Sequence, residues 1–227
     1  MNSRTGFLTS LVCLGACVAC TGEAGSSADS HSQPTGAVAV KAVYSMMRES
    51  AGHGSEAPGP RTILQALPGS DLSRQMGRAF SDAVVMGTVT AVEEGQAYRV
   101  VGATDSPVPW EANDIDVLST HVTLDVHEPL CATKPVPSSV TFRFFITSKN
   151  EITTVREGLT EMGEIAVFLK SSPDPEDPIY YQADASGLLS EVDGDGRIPW
   201  PVARQHYGSI WAEGGDTVAS LKHGCTV

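Results

Sequence analysis

Thr120 to His127 reads THVTLDVH, and it alternates without a slip. Val122, Leu124 and Val126 fall on one side, and His121, Thr123, Asp125 and His127 on the other. A period of two is the signature of a strand with one buried face. Similar segments flank it. Ala83 to Val92 (AVVMGTVTAV) is rich in β-branched residues, with Gly87 as a candidate bulge or close-approach position. Val140 to Ile146 (VTFRFFI), Glu164 to Lys170 (EIAVFLK) and Ile179 to Ala183 add further extended segments. Gly187 to Val192 then runs into the tight turn Gly194-Asp195-Gly196. Long loops are expected at about 95 to 117 and 147 to 160. Short strands broken by Pro and Gly, with little helix between them, favour an antiparallel barrel or sandwich over an α/β sheet.

Outward from these strands the chain is less regular. Leu72, Met76 and Phe80 recur at helical spacing behind a Ser70 or Asp71 cap. Ala37 to Met47 (AVAVKAVYSMM) fits a strand or a short helix equally, and Gly52 to Pro60 is loop-like. Residues 37–69 therefore form an ambiguous extension before a β domain at 70–227. Thr21 to Gly36 is small, polar and rich in Gly and Ser, the composition of a flexible spacer. Before it, Arg4 precedes an apolar run of roughly 11 residues, too short to span a bilayer but suited to a signal-peptide core.

Leu14-Gly15-Ala16-Cys17 resembles a bacterial lipobox. The resemblance implies a signal peptide at 1–16, a diacylglyceryl group on the new terminal cysteine and a tether at 17–36. Cys17 is the expected lipidation site, because Leu14 and Ala16 suit its minus-three and minus-one places. Cys20 is the alternative. If it is the lipidated residue, Cys131 and Cys225 remain as the only mature cysteines and can pair with nothing left over. Several acyl chains at about 0.8 kcal/mol per buried methylene hold a protein firmly to a membrane. The expected location is the bacterial cell envelope, where thiols oxidise. A Cys131–Cys225 bond would close a loop of about 94 residues, worth up to roughly 4 to 5 kcal/mol in the entropic account.

The 227 residues carry a formal charge of −12 and are 41% hydrophobic. The hydrophobic fraction is enough for a real core. So acidic a chain repels phosphate backbones, so nucleic acid is not an expected partner. No Gly-x-Ser-x-Gly, His-Glu-x-x-His or Ser-x-x-Lys pattern occurs, nor a Gly-rich phosphate cradle, and the chain is read as no enzyme and as needing no cofactor.

Weak metal candidates exist. His121, Asp125 and His127 share one strand face, with Asp125 and His127 about 7 Å apart along the backbone. Two nitrogens and an oxygen suit zinc, yet no further ligand is identifiable, and a solvated polar face is the expectation. Glu191 to Gly196, with Asp193 and Asp195, imitates the first half of a calcium loop. Its twelfth place is Val202 rather than Glu, so a turn is expected. Asp174, Glu176 and Asp177 read as a solvent-facing acidic loop. Trp110, Trp200 and Trp211 fall in loop or terminal segments. Trp200, between Pro199 and Pro201, is expected to pack the end of the β domain, and one of the three could anchor a partner.

Ser81 to Val89 (SDAVVMGTV) resembles the opening strand of bacterial exported domains and, more distantly, of netrin-like modules, the OB-fold group that includes tissue inhibitors of metalloproteinases. Leu159 to Leu169 (LTEMGEIAVFL) is similar to the segment of those modules in which a Leu and a Gly lead into a hydrophobic strand. Ser186 to Leu188 and Asp193 to Ile198 resemble the closing hairpin of the bacterial domains. Across residues 70–200 the resemblance implies a mainly β, OB-like antiparallel barrel of about five strands with one or two short helices. The inhibitors act through a processed amino-terminal cysteine that reaches a protease metal. Here that end is expected to be lipidated and followed by a spacer, so no functional residue carries over. The function expected is a lipid-anchored, non-catalytic binding or structural module whose partner is another envelope or extracellular protein. A netrin-like protease inhibitor and a divalent-metal-binding envelope protein are the alternatives.

Overall fold

One strand, β1 (Ala83–Val101), organises the molecule. In the computed structural model, described for residues 36–51, 62–76, 80–101, 104–182, 188–207 and 214–225, it runs well beyond the predicted Val92. Its first half is buried on both faces. Ala83 and Val85 enter one hydrophobic cluster, while Val84 enters a second on the opposite side of the sheet. Its far half is polar (EEGQAYRV) yet still extended. It pairs with β3 (Val117–Ala132) and with β2 (Thr104–Val108), so the loop expected at 95–117 is largely a hairpin arm.

β3 lies antiparallel along β1 with register shifts, one of them between Met86 and Gly87. A Cβ at Gly87 would overlap the carbonyl oxygen of Asp125, so the close approach read from the sequence is present and only glycine permits it. β3 pairs with β4 (Ser139–Ile146), β4 with β6 (Tyr180–Gln182), β6 with β5 (Glu164–Lys170), and β5 with Ala83–Thr88 of β1. β7 (Leu189–Glu191) extends the far side of β5. The result is a mainly β protein with a seven-stranded sheet rather than five strands. The sheet is mixed rather than antiparallel, because β4 and β6 run parallel. Parallel neighbours need a crossover, here supplied by the chain between residues 146 and 180.

Helices are more numerous than the one or two expected. α1 (Gly36–Ala51) resolves the ambiguous first segment as a helix and sends Val43, Tyr44, Met46 and Met47 into the main cluster. A 3₁₀ turn (Ile63–Ala66) and α2 (Asp71–Met76) precede β1. α3 (Glu151–Glu161) occupies what was read as the second long loop. The Glu151 carboxylate accepts the Thr147 and Ser148 N–H groups at 2.8 and 3.2 Å, and Gly163 at φ +68° ends the helix before β5. α3 packs on α1 at Gly158, where a Cβ would come within 2.7 Å of the Ala39 carbonyl oxygen. α4 (Pro201–Tyr207) and α5 (Val218–Cys225) follow β7.

The second cluster holds Ile63, Leu67, Val84, Ala166, Phe168, Leu188, Trp200 and Leu221. A disulfide joins Cys131 at the end of β3 to Cys225 of α5, with an S–S distance of 2.05 Å. No helix among the described residues is long and apolar enough to cross a membrane. The predicted signal segment, most of the tether, Cys17, Cys20, the loop at 52–60 and Trp211 lie outside the described residues.

Candidate functional site

Among the described residues, β4 sets up a charged side chain that is buried, Arg143. Val140, Phe142, Phe144 and Ile146 alternate into the main cluster, which leaves Thr141, Arg143 and Phe145 on the other face. An outward arginine is normally solvated, yet Arg143 has 3% of its side chain exposed. The segment between β5 and β6 covers it. Asp177 accepts a hydrogen bond from Nη2 at 2.7 Å, and the Tyr181 ring stacks on the guanidinium, its centroid 4.5 Å from Cζ. Nε and Nη1 are shielded from solvent and have no hydrogen-bond partner among the described residues. A buried donor left unpaired costs about 1 to 3 kcal/mol, and more when charged.

His121 stands beside it. The β3–β4 register places His121 opposite Arg143, and the β1–β3 register places Glu93 on its other side. Its Nε2 is also shielded and unpartnered. Burial first, and the Arg143 guanidinium second, push the imidazole below its ordinary pKa against smaller opposing pulls from Asp177 and Glu93. For Asp177, burial is the largest influence and acts upward. The N–H of Ile179, then the Arg143 guanidinium and the Ser172 hydroxyl, together outweigh it and hold the carboxyl below the usual range. The acidic loop read as solvent-facing therefore turns one carboxylate inward. Asp174 does stay at the surface, where it accepts the N–H of Glu176 at 3.0 Å.

The three residues read as a weak metal set are not brought together. His121 is half-buried beside Arg143, whereas Asp125 and His127 are exposed farther along β3. Both ring nitrogens of His127 are engaged. Nδ1 lies 2.9 Å from Glu164 Oε1 and Nε2 lies 3.3 Å from Thr88 Oγ1. The sequence hydroxyl, imidazole, carboxylate is that of a nucleophile relay. On an imidazole 43% exposed it reads as a surface ladder tying β1, β3 and β5. Asp193 closes its turn with its own carboxylate, accepting the N–H groups of Asp195 at 2.9 Å and Arg197 at 2.8 Å. No group of three or more His, Cys, Asp or Glu among the described residues is placed to hold a metal ion.

Trp200 is fully buried, donates its indole N–H to the Gly215 carbonyl at 2.9 Å and meets Phe168 edge-on at 5.6 Å. Trp110 packs partly buried against the main cluster. Sequence reasoning passed over Arg143 and Tyr181 and read Asp177 as solvent-facing. The available signal was a lone charge in VTFRFFI, flanked by aromatics at a position that alternation assigns to the outside.

No protein-family model, curated protein or solved structure matches the chain.

Proposed function

We propose that the chain is an exported, lipid-anchored envelope protein whose β domain is an OB-type barrel serving as a binding or structural module for another envelope or extracellular protein. The observation that carries the fold part is the circuit of pairings. β1 pairs with β3, β3 with β4, β4 with β6, β6 with β5, and β5 returns to β1. Each strand of the circuit has a neighbour on each side, with β6 meeting β4 and β5 through two register pairs each, which supports a closed arrangement. Its one parallel step and the helix between β4 and β5 fit a five-stranded Greek-key barrel of that type, with β2 and β7 as appendages.

The envelope part rests on the lipobox-like Leu14 to Cys17 and the Gly/Ser spacer. The Cys131–Cys225 bond supports an oxidising compartment. A binding role is supported by the stretch of β3 and β4 around Arg143, where a charge is held out of water at a cost the core does not require. Crosslinking the native protein in intact cells and recovering it with its anchor tests the reading. A discrete crosslinked partner is expected. Recovery of uncrosslinked monomer from the soluble cytosolic fraction would overturn it.

A further inference from the structure

We propose that Arg143 and His121 form a seat for a small oxyanion, a carboxylate or a phosphate, beneath the segment that joins β5 to β6. This deepens the binding-module reading and rests on it. Unsatisfied buried polar groups in a folded protein call for a bound water or ion. Here three nitrogens on cross-strand neighbours are in that condition: Arg143 Nε, Arg143 Nη1 and His121 Nε2. The two Arg143 nitrogens can only donate, and His121 Nε2 donates when its ring is protonated or carries its proton there, so the matching occupant is an acceptor. The planar guanidinium fork suits carboxylate and phosphate oxygens. Asp177 uses one of its three nitrogens and shows the kind of group the site takes.

Entry is through the cover. Residues 171–182 hold to β4 by the register pairs Phe142↔Tyr180 and Arg143↔Tyr181, and to β5 by Leu169↔Gln182 and Lys170↔Tyr181. That hold is four register pairs, with Tyr180 also packed against the main cluster, so an occupant reaches the seat only when this short segment moves. The charged and titratable groups facing His121 are Glu93 from β1, Arg143 from β4 and Asp177 from the cover. An anion between His121 and Arg143 would relieve the repulsion between two cations, so its binding favours the protonated imidazole. Affinity is then expected to strengthen, by at most about tenfold per pH unit, as pH falls from the anion-bound imidazole's pKa toward the lowered pKa of the unliganded site, and to level off below it.

The test is NMR on the full mature protein, following the Arg143 Nε–H and His121 ring signals during titration with acetate, with inorganic phosphate and, as an ionic-strength control, with chloride. Saturable shifts with acetate or phosphate, tighter at pH 5.5 than at pH 7.5, are expected. The two oxyanion arms separate a carboxylate seat from a phosphate seat. Shifts no different from those with chloride would overturn the proposal, as would an internal water occupying these nitrogens unchanged at saturating anion. Arg143→Met is expected to abolish the response. His121→Phe, which keeps the arginine, should remove its pH dependence and so serves if the first variant does not fold. No anion-specific shift, together with capture of an envelope partner that is unaffected by both variants, would remove this seat while leaving the module reading in place.

Discussion

Trp200 holds a backbone φ of 47°, a region that bulky residues rarely adopt, and still buries its whole side chain. Pro199 and Pro201 bracket it, its N–H donates to Ser190 Oγ at 3.1 Å, and its indole pins Gly215 against the second cluster. Trp200→Ala should cost about 3 to 5 kcal/mol, read as a lower urea midpoint. Trp200→Gly relieves the φ strain but leaves the same cavity, and it too should fall well below wild type. His121 and Asp177 make acid a second probe at this scale. The folded pKa of His121 lies below its unfolded value, so the unfolded chain takes up the proton first, and stability declines as pH falls below about 6.5. Asp177 is also depressed. Its contribution is present above the unfolded carboxylate value of 3.8 and is lost as pH falls through the folded one. Urea midpoints should drop between pH 7.5 and pH 5.5, and His121→Gln should reduce that slope. An unchanged slope would contradict the account of His121.

At the scale of elements, α1 and α3 meet through Gly158, and the close approach leaves no room for a methyl group. Gly158→Ala should cost about 1 to 3 kcal/mol through overpacking and raise hydrogen exchange in α1 before the strands. The disulfide ties β3 to α5 across 94 residues. A Cys131→Ser, Cys225→Ser double variant should lose about 2 to 4 kcal/mol, with exchange rising first in α5. These elements also show what the sequence could reveal. The alternation at 120–127 was legible because Val122 and Leu124 face a core while Asp125 and His127 face water. Gly87 was legible because a glycine inside a β-branched run has few other reasons to be there. The far half of β1 was not, since Glu93 to Arg99 draw their extended form from pairing with β2 and β3 rather than from their own propensity. α3 was hidden in a polar stretch whose apolar stripe is only Ile152, Val155 and Leu159. α1 was ambiguous because AVAVKAV alternates like a strand, and packing on α3 decides the matter. The buried Arg143 was not legible, because its cover comes from residues more than thirty positions away.

For the whole molecule, two hydrophobic clusters on opposite faces of one sheet explain why both faces of β1 and β5 read as continuous apolar runs. Ala166 and Phe168 face one cluster while Ile165, Val167 and Leu169 face the other. The α5 segment, stapled by Cys225, closes the second cluster, and the compact unit it completes extends from Pro34 to Val227. Under the proposed function this unit is tethered to a membrane by a lipidated cysteine near the start of the chain. The intact mass of the protein purified from its native membrane tests this most directly. The account predicts a chain that begins at Cys17 or Cys20, gains the mass of a diacylglyceryl group and lacks two hydrogens for the Cys131–Cys225 bond. A chain that retains Met1, carries no acyl mass and holds both cysteines as free thiols would contradict it.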